Sequence, residues 1–296
     1  MRLPGRLNAL KRQLLRRQVG EIKLKRRYRR IHGRNLVDVE NAETFSEKLF
    51  HRLIALNRFG NPTFTQISDK YIARDWVRRT IGEKYLTTLL WSGLNPSDLP
   101  FDTLPSKCIA KTNHGSGGNI VLSKNVDRSR VIKTLKYWLS ENYYWHAREF
   151  QYYEIKPRIL VEELLDDGQP NGPLDFRFWC FNGRPEVIQV DNNTHTINPF
   201  YDVGWNKLTL HYREQRIECD IAMPTNLSEM TSIASKLSSG FDFVRVDLYN
   251  VYGKIYFGEI TFTPLAGHLL FKPPSWDRLL GQKWQLSECD FALPTA

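Results

Sequence analysis

The segment FDFVRVDLYNVYGKIYFGEITFTP, residues 241–264, constrains the fold more than any other part of the sequence. Apolar and polar residues alternate in both of its halves, with Gly253 between them. Such alternation is typical of β-strands, and glycine adopts the positive φ of a tight turn without steric cost. The segment therefore predicts an antiparallel hairpin. A turn centred on Gly253 would pair Asp247 with Glu259. Both carboxylates would share one face if the connecting loop held an odd number of residues or if a bulge intervened.

Two carboxylates among apolar neighbours need a compensating charge, because an isolated buried carboxylate is costly. Asp247 and Glu259 stand close to Arg245 in this hairpin. Magnesium is usually held by one or two carboxylates together with substrate phosphates. The pattern therefore favours a metal–phosphate site over the alternative, an ordinary hairpin whose polar face meets solvent.

A second informative segment is AKTNHGSGGNIVL, residues 110–122, in which small residues separate two apolar runs. It predicts two strands around a glycine-rich loop, with Lys111 on the first strand. Lys111 and the backbone N–H groups of residues 116–118 could bind phosphates, but a simple glycine-rich hairpin fits equally well. The spacing matches neither the P-loop nor the dinucleotide-binding fingerprint. His114 could contact phosphate or be an ordinary turn histidine.

The other elements alternate irregularly, which predicts an α+β fold with antiparallel hairpins. Thr44 followed by Glu47 is the capping-box pattern of a helix start. Asn182-Gly183 is a strong hairpin signal between two apolar runs. Helices are predicted over residues 44–59, 68–81, 127–147 and 228–239, and a buried strand over residues 158–165.

Positive charge is concentrated at the start of the chain. Residues 1–34 hold 13 Lys or Arg and one acid, Glu21, whereas the remainder holds 29 bases and 31 acids. Apolar residues recur at helical spacing among these bases and predict a basic amphipathic helix ending near Gly33. Its charged face could simply be solvated, or it could contact a membrane or an acidic polymer. Because the rest of the chain is nearly neutral, nucleic-acid binding is not expected.

The cysteines Cys108, Cys180, Cys219 and Cys289 are widely spaced and form no C-x-x-C motif. The longest apolar runs are too short for a transmembrane helix. These features predict a reduced, cytoplasmic protein, which the basic arm could bring to the inner face of the membrane.

Four motifs in one order resemble the ATP-grasp superfamily. They are the lysine strand with its small-residue loop, the segment VEEL at residues 161–164, the late hairpin, and the Pro264–Gly267 segment after it. More closely, KTNHGSGGN, DFRFWCFNGRP and GEITFTPLAG resemble the TupA-like ATP-grasp group, whose members occur among bacterial surface-polysaccharide genes. The resemblance covers roughly residues 40–285. It implies two α+β lobes that clasp ATP, preceded here by the basic helical arm.

The resemblance also implies roles for individual residues. Lys111 would bind ATP phosphates beneath a lid formed by Gly115, Ser116, Gly117 and Gly118. Adenine would be held by the backbone around Glu162, Glu163 and Leu164. The implied ribose contact is Asp175, the implied phosphate or catalytic contacts are Arg177, Arg245 and, more weakly, Lys207, and the implied Mg²⁺ ligands are Asp247, Glu259 and Thr261. Thr261 stands where the superfamily often has asparagine.

The expected function is an ATP- and Mg²⁺-dependent carboxylate–amine ligase that forms an amide through an acyl-phosphate. Its expected function is to attach an amino acid to a uronic acid or an amino sugar of a bacterial capsular or surface polysaccharide, and its expected partners are an amino acid and an anionic saccharide or polysaccharide. The alternatives are a nucleotide-sugar glycosyltransferase, although the chain has no D-x-D motif, and a non-catalytic polysaccharide-binding protein. The expected domains are the arm at residues 1–34, a helical or α+β region at 35–104, a small lobe at 105–165 and a large lobe at 166–296.

Overall fold

The computed structural model describes residues 5–170, 172–192, 194–212 and 220–286. Two antiparallel sheets carry the fold. The helices are α1 (Gly5–His32), α2 (Phe45–Phe59), α3 (Pro62–Ser68), α4 (Ala73–Thr80), α5 (Arg128–Ser140), α6 (Tyr144–Ala147), α7 (Leu227–Ser238) and α8 (Ser275–Lys283). The strands are β1 (Leu89–Gly93), β2 (Lys107–Thr112), β3 (Asn119–Ser123), β4 (Ile159–Glu163), β5 (Asp175–Phe181), β6 (Arg184–Asp191), β7 (Phe200–Asp202), β8 (Lys207–Leu208), β9 (Phe243–Val251) and β10 (Lys254–Thr261).

The first sheet has four strands in the order β1-β4-β2-β3, and the second has six in the order β10-β9-β5-β6-β7-β8. This mixture of helices and antiparallel sheets confirms the predicted α+β class. The predicted domain limits divide the first sheet, because β1 lies within residues 35–104 while its partner β4 lies beyond residue 105.

The hairpin β9–β10 has the predicted register. Asp247 lies opposite Glu259, and the register shifts between Phe257 and Glu259, which is the bulge that brings both carboxylates to one face. Gly253 has a φ of 82° in the turn. The β5–β6 hairpin likewise turns at Asn182-Gly183, both of which have positive φ.

Each face of the six-stranded sheet packs against different helices. On one face, Phe176, Phe178 and Val246 join a core with α7 residues such as Met230. On the other face, a second core joins β5, β9, α1, α2 and α8 around Trp179, Phe243 and Trp284. A third core lies between the four-stranded sheet and α5. Beyond Trp179 and Phe243 on this face, β5 and β9 carry the charged residues Arg177, Arg245 and Asp247.

Helix boundaries follow local capping chemistry. The capping box of Thr44 and Glu47 opens α2 as predicted. The predicted helix over 68–81 is wrong in its extent, because Asp69 Oδ1 accepts the N–H groups of Tyr71 and Ile72 and separates α3 from α4. The predicted helix over 127–147 is also interrupted, since α5 ends at Ser140.

Cys108 and Cys180 are buried free thiols, whereas Cys219 and Cys289 lie outside the described residues. Burial raises the pKa of Cys180 to about 12, so its thiol stays protonated at neutral pH.

Across the described ranges, no helix is both long and apolar enough to cross a membrane.

Candidate functional site

A cavity of about 450 Å³ lies between the two sheets. One wall comes from β2, β4, the glycine loop and the α3–α4 connection, and the opposite wall comes from β5, β9 and β10. The structure brings most of the sequence-predicted residues to this cavity. They are Lys111, Gly115, Ser116, Gly117, Gly118, Glu162, Glu163, Leu164, Asp175, Arg177, Asp247 and Glu259.

On the first wall, Lys111 forms a network with two other charged residues. Its Nζ lies 2.9 Å from Glu162 Oε2, and Arg74 Nη1 donates to Glu162 Oε1 at 2.6 Å. Burial would raise the pKa of Glu162, but Lys111 and Arg74 outweigh burial and hold it below its usual value. The network leaves one excess positive charge at the cavity, which suits an anionic ligand.

The glycine loop closes over the end of β2. The N–H of Thr112 donates to Gly118 O at 3.1 Å, and a Cβ on Gly118 would meet Thr112 Oγ1 at 2.6 Å. Gly117 has a φ of 83°, which most residues rarely adopt. Lys70 Nζ donates to Gly115 O at 2.6 Å and so fixes the loop from the α3–α4 side. The positive φ therefore favours glycine at position 117, and the close approach of Thr112 favours glycine at position 118.

The opposite wall holds the paired carboxylates of the hairpin. Arg245 binds Asp247 through two hydrogen bonds of 2.7 and 2.5 Å. The same guanidinium lies 3.5 Å from Glu259 Oε1 and donates to Thr261 Oγ1 at 3.1 Å. The Thr261 hydroxyl in turn donates to Glu259 at 3.1 Å. Arg245 thus offsets one of the two negative charges carried by Asp247 and Glu259.

The electrostatics of this wall fit an additional cation. Burial raises the pKa of Asp247 to about 7, against the opposing effect of Arg245, and burial also raises the pKa of Asp175. Asp175 Oδ1 is buried without a hydrogen-bond partner in the described part of the chain. No group of three or more His, Cys, Asp or Glu side chains in the described ranges has metal-binding geometry. Two carboxylates with a neighbouring hydroxyl match the partial ligand set that Mg²⁺ uses when phosphates complete its coordination.

Arg177 connects Asp175 to a fourth acid. Its Nε donates to Asp175 Oδ2 at 2.8 Å, and its Nη1 donates to the fully buried Asp191. Asp191 Oδ2 also lies 2.8 Å from His195 Nδ1, and His195 lines the cavity. Two carboxylates therefore hold the Arg177 guanidinium in place at the cavity wall.

Some predicted residues lie elsewhere. His114 is buried, with Nε2 at 3.2 Å from the carbonyls of both Trp138 and Glu141, so it fixes the end of α5 and does not line the cavity. Lys207 lies on β8 and pairs with Asp220 at 2.8 Å, also away from the cavity. Arg245 and Thr261 act behind the lining residues, through Asp247 and Glu259.

The backbone of Glu163 is also engaged differently from the prediction. Its N–H donates to Thr88 O at 3.0 Å, and its carboxylate accepts the N–H of Thr88 at 2.8 Å. Glu163 therefore ties β4 to the residue before β1, so its N–H is not free for a base. Leu164 and Leu165 continue along the cavity wall.

Glu149 is a buried acid next to the end of the β9–β10 hairpin, and the sequence did not single it out. It accepts a hydrogen bond from Thr263 Oγ1, which in turn accepts one from Gln151 Nε2 at 2.6 Å. Burial raises the pKa of Glu149 to about 7, above its usual value of 4.5. The folded protein therefore favours the protonated carboxyl group.

This elevated pKa predicts a pH-dependent stability. The favourable contribution of the protonated group is complete below pH 4.5 and is lost as the pH rises through about 7. Glu149→Gln cannot ionise, so its advantage in unfolding free energy over the wild type should grow by about 3 kcal/mol between pH 5 and 9. Denaturant unfolding of both proteins across this range measures the difference. The exposed Glu154→Gln should show no such trend, and a parallel trend in both variants would contradict the assignment.

Several residues that line the cavity were not predicted from the sequence, among them Arg74 and His195. Arg74 is one of several arginines in a helical pattern, and His195 stands in an irregular polar loop. Neither position carries a local signal, because each reaches the cavity through packing between distant segments.

A family model described as TupA-like ATPgrasp matches residues 47–285. The chain therefore belongs to the ATP-grasp class of proteins, and within it to the TupA-like ATP-grasp family. This membership confirms the family predicted from the sequence motifs and agrees with the expected cofactors ATP and Mg²⁺. A search of curated proteins found no match.

Solved structures with similar folds include D-alanine–D-alanine ligases. The enzyme from Bacillus anthracis, complexed with ATP, is 17% identical with a TM-score of 0.39, over 67% of this chain and 54% of that one. The Helicobacter pylori enzyme is 16% identical with a TM-score of 0.45, over 74% and 61%. An L-amino acid ligase from Bacillus licheniformis is 14% identical with a TM-score of 0.39, over 72% and 45%. The chain thus spans about half to three-fifths of the length of these ligases.

Proposed function

We propose that the protein is an ATP- and Mg²⁺-dependent carboxylate–amine ligase. One observation supports this most strongly: Asp247 and Glu259 are paired across β9 and β10 and face the same cavity as Lys111 and the glycine loop. Cations on one wall and paired carboxylates on the other are what a metal–nucleotide complex requires, because the carboxylates hold the metal and the cations hold the phosphates.

In this proposal the nucleotide lies along the cavity. Lys111 and the N–H groups of the glycine loop contact the phosphates, and Arg74 keeps Lys111 and Glu162 in place. The backbone at Leu164 and Leu165 takes the adenine. The unpartnered Oδ1 of Asp175 would accept a hydrogen bond from a ribose hydroxyl.

Asp247 and Glu259 would hold Mg²⁺, and the neighbouring Thr261 hydroxyl would supply a further oxygen ligand. When bound, the ion would neutralise charge on the phosphoryl group that is transferred. Without a metal, the Arg245 guanidinium contacts both Asp247 and Glu259. If these carboxylates held Mg²⁺ instead, Arg245 would lose part of these contacts and could turn towards a substrate. Arg177, held by Asp175 and Asp191, would stay in position as a second positive group.

The proposed reaction has two steps. A substrate carboxylate attacks the γ-phosphate, which forms an acyl-phosphate and releases ADP. An amine then attacks the acyl carbon, forms the amide and releases phosphate and a proton. Arg245 and Arg177 would stabilise the negative charge that develops in both steps, and Lys111 would do so in the first. Positioning and charge neutralisation account for most of the catalysis in such transfers.

For substrates we propose an amino acid and a saccharide of a bacterial surface polysaccharide, either an anionic uronic acid or an amino sugar. This rests on the resemblance to the TupA-like group, whose members occur among surface-polysaccharide genes.

The direct test is ADP release by the purified chain with Mg²⁺ and ATP, while amino acids and uronic-acid oligosaccharides are varied independently. We expect release to require both a carboxylate and an amine substrate, with an amide product detected by mass spectrometry.

Lys111→Met should reduce the rate of ADP release roughly 100-fold or more, because it removes a charge from the phosphate site. Lys107→Met is the matched control, since Lys107 lies on the same strand but is exposed and pairs with Asp166.

Two results would overturn the proposal. Turnover of a UDP-sugar without ATP consumption would identify a glycosyltransferase. Failure of the protein to bind ATP with Mg²⁺ would identify a protein that kept the fold without the chemistry.

A further inference from the structure

Helix α1 has an inner face that is fixed to the body of the protein. Leu24 and Tyr28 are fully buried in the second core. The Arg16 guanidinium lies 4.6 Å from the ring centroid of Phe150 and 4.3 Å from that of Tyr153. Arg27 Nη1 donates to Ala147 O at 2.7 Å and to Ala266 O at 2.8 Å. These contacts hold the helix along the protein surface and determine which of its residues face outward.

The outer face of α1 is strongly basic. We define it by its exposed residues Leu14, Gln18, Val19, Ile22, Lys23, Lys25, Arg26, Arg29 and Arg30. Within the described ranges, Lys23, Arg26, Arg29 and Arg30 have no carboxylate at ion-pair distance. Glu21, the helix's own acid, is on the flank, where it binds Arg58 and Lys25. Four positive charges on this face therefore lack a compensating anion from the described residues.

Apolar side chains lie among these bases. Leu14 is 51% exposed, Val19 is 42% exposed and Ile22 is 49% exposed. Residues three or four apart are neighbours on a helix surface, so Val19 and Ile22 adjoin each other, and Ile22 adjoins Arg26. Exposed branched apolar residues within a basic face have an unfavourable contact with water that a purely solvated helix face would avoid.

We propose that the outer face of α1 docks the protein onto an anionic lipid bilayer. The helix lies in the plane of the interface, the bases contact lipid phosphates, and Leu14, Val19 and Ile22 enter the boundary between headgroups and acyl chains. Interfacial helices combine these two contributions. An acidic polysaccharide or a nucleic acid would match the charges but would leave the three apolar side chains in water. The combination of charge and apolar exposure therefore favours the lipid surface.

Flotation of the full chain with lipid vesicles tests this proposal. We expect binding to vesicles of equimolar phosphatidylcholine and phosphatidylglycerol, weakening with salt, and little binding to phosphatidylcholine alone. Joint replacement Lys23→Gln, Arg26→Gln, Arg29→Gln and Arg30→Gln should lower the partition coefficient on the order of 100-fold. Joint replacement Leu14→Gln, Val19→Gln and Ile22→Gln keeps the charge and should lower it roughly 10-fold.

The matched control removes the same charge from another surface. Lys124, Arg130, Lys133 and Lys136 are exposed on or next to α5, and their joint replacement by Gln should leave vesicle binding within about twofold of the wild type. Far-ultraviolet circular dichroism checks that each variant remains folded.

Three outcomes would overturn the proposal. In the first, the wild type binds anionic vesicles no more strongly than neutral ones. In the second, the charge replacements on α1 and on α5 weaken vesicle binding equally. In the third, the variant with Leu14, Val19 and Ile22 replaced by Gln binds vesicles as strongly as the wild type. In the last case, binding to soluble polyglucuronate or duplex DNA, measured by fluorescence anisotropy, would identify a polyanion as the partner. Vesicle binding needs neither ATP nor substrate, so its result is independent of the proposed ligase activity.

Discussion

Replacing Glu259 with glutamine should weaken Mg²⁺-dependent ATP binding by on the order of 100-fold or more. Glutamine keeps the size of the side chain but removes the negative charge that faces Asp247 across the hairpin. Loss of groups that merely support metal ligands already costs about 10–100-fold in metal affinity, so loss of a ligand should cost at least as much. Titration calorimetry with ATP, with and without Mg²⁺, measures the change.

Glu259 is preferable to Asp247 for this test. Its side chain is 37% exposed, so its loss should disturb the fold little. Asp247 is 3% exposed and bound by Arg245, so Asp247→Asn would leave a buried arginine without its main partner. Glu186→Gln is the matched control, because Glu186 is 32% exposed and pairs with Lys283 outside the cavity. Unaltered Mg²⁺-dependent affinity in Glu259→Gln would contradict the assigned metal role.

Replacing Arg52 with methionine should destabilise the protein by about 3–5 kcal/mol. Arg52 on α2 is fully buried and forms an ion pair with Asp242. It also donates to Phe243 O at 2.8 Å and to Phe262 O at 3.3 Å, which lie at the ends of β9 and β10. Its removal leaves a buried carboxylate without its main cation and loosens the hairpin that carries Asp247 and Glu259. Denaturant unfolding measures the loss.

Arg58→Met on the same helix is the control. Arg58 pairs with Glu21 near the surface, and its side chain is 48% exposed, so we expect a loss of at most about 1 kcal/mol. The double variant Arg52→Met with Asp242→Asn should recover part of the stability, since no charge is then left buried. A loss of less than about 1 kcal/mol in Arg52→Met would show that the buried pair does not stabilise the fold as described.

Much of the site could be predicted from the sequence, because its main elements are local hairpins. Alternation around Gly253 predicted the pairing of Asp247 with Glu259, and the structure has this register, with a bulge between Phe257 and Glu259. Asn182-Gly183 predicted the β5–β6 turn, and Thr44 with Glu47 predicted the start of α2. In each case the residues that determine the geometry are close in sequence, so their pattern carries the information.

The rest depends on contacts between distant segments. Arg74 reaches Glu162 across 88 residues, and nothing in its own helix distinguishes it from Arg78 or Arg79. The short strand β1 forms because β4 offers it a free edge. His114 follows the lysine strand in sequence, but the loop turns its ring towards the carbonyls that end α5. Propensity and spacing cannot predict such outcomes, which tertiary packing decides.

We propose that the cavity between the two sheets binds ATP with Mg²⁺ through Lys111, Asp247 and Glu259. Calorimetric titration of the purified full chain with ATP in the presence of Mg²⁺ tests it most directly. We predict saturable binding of one nucleotide per chain, weakened strongly by Lys111→Met and by Glu259→Gln but not by Lys107→Met or Glu186→Gln. Absence of ATP binding in the wild type, or equal binding in all four variants, would contradict the claim.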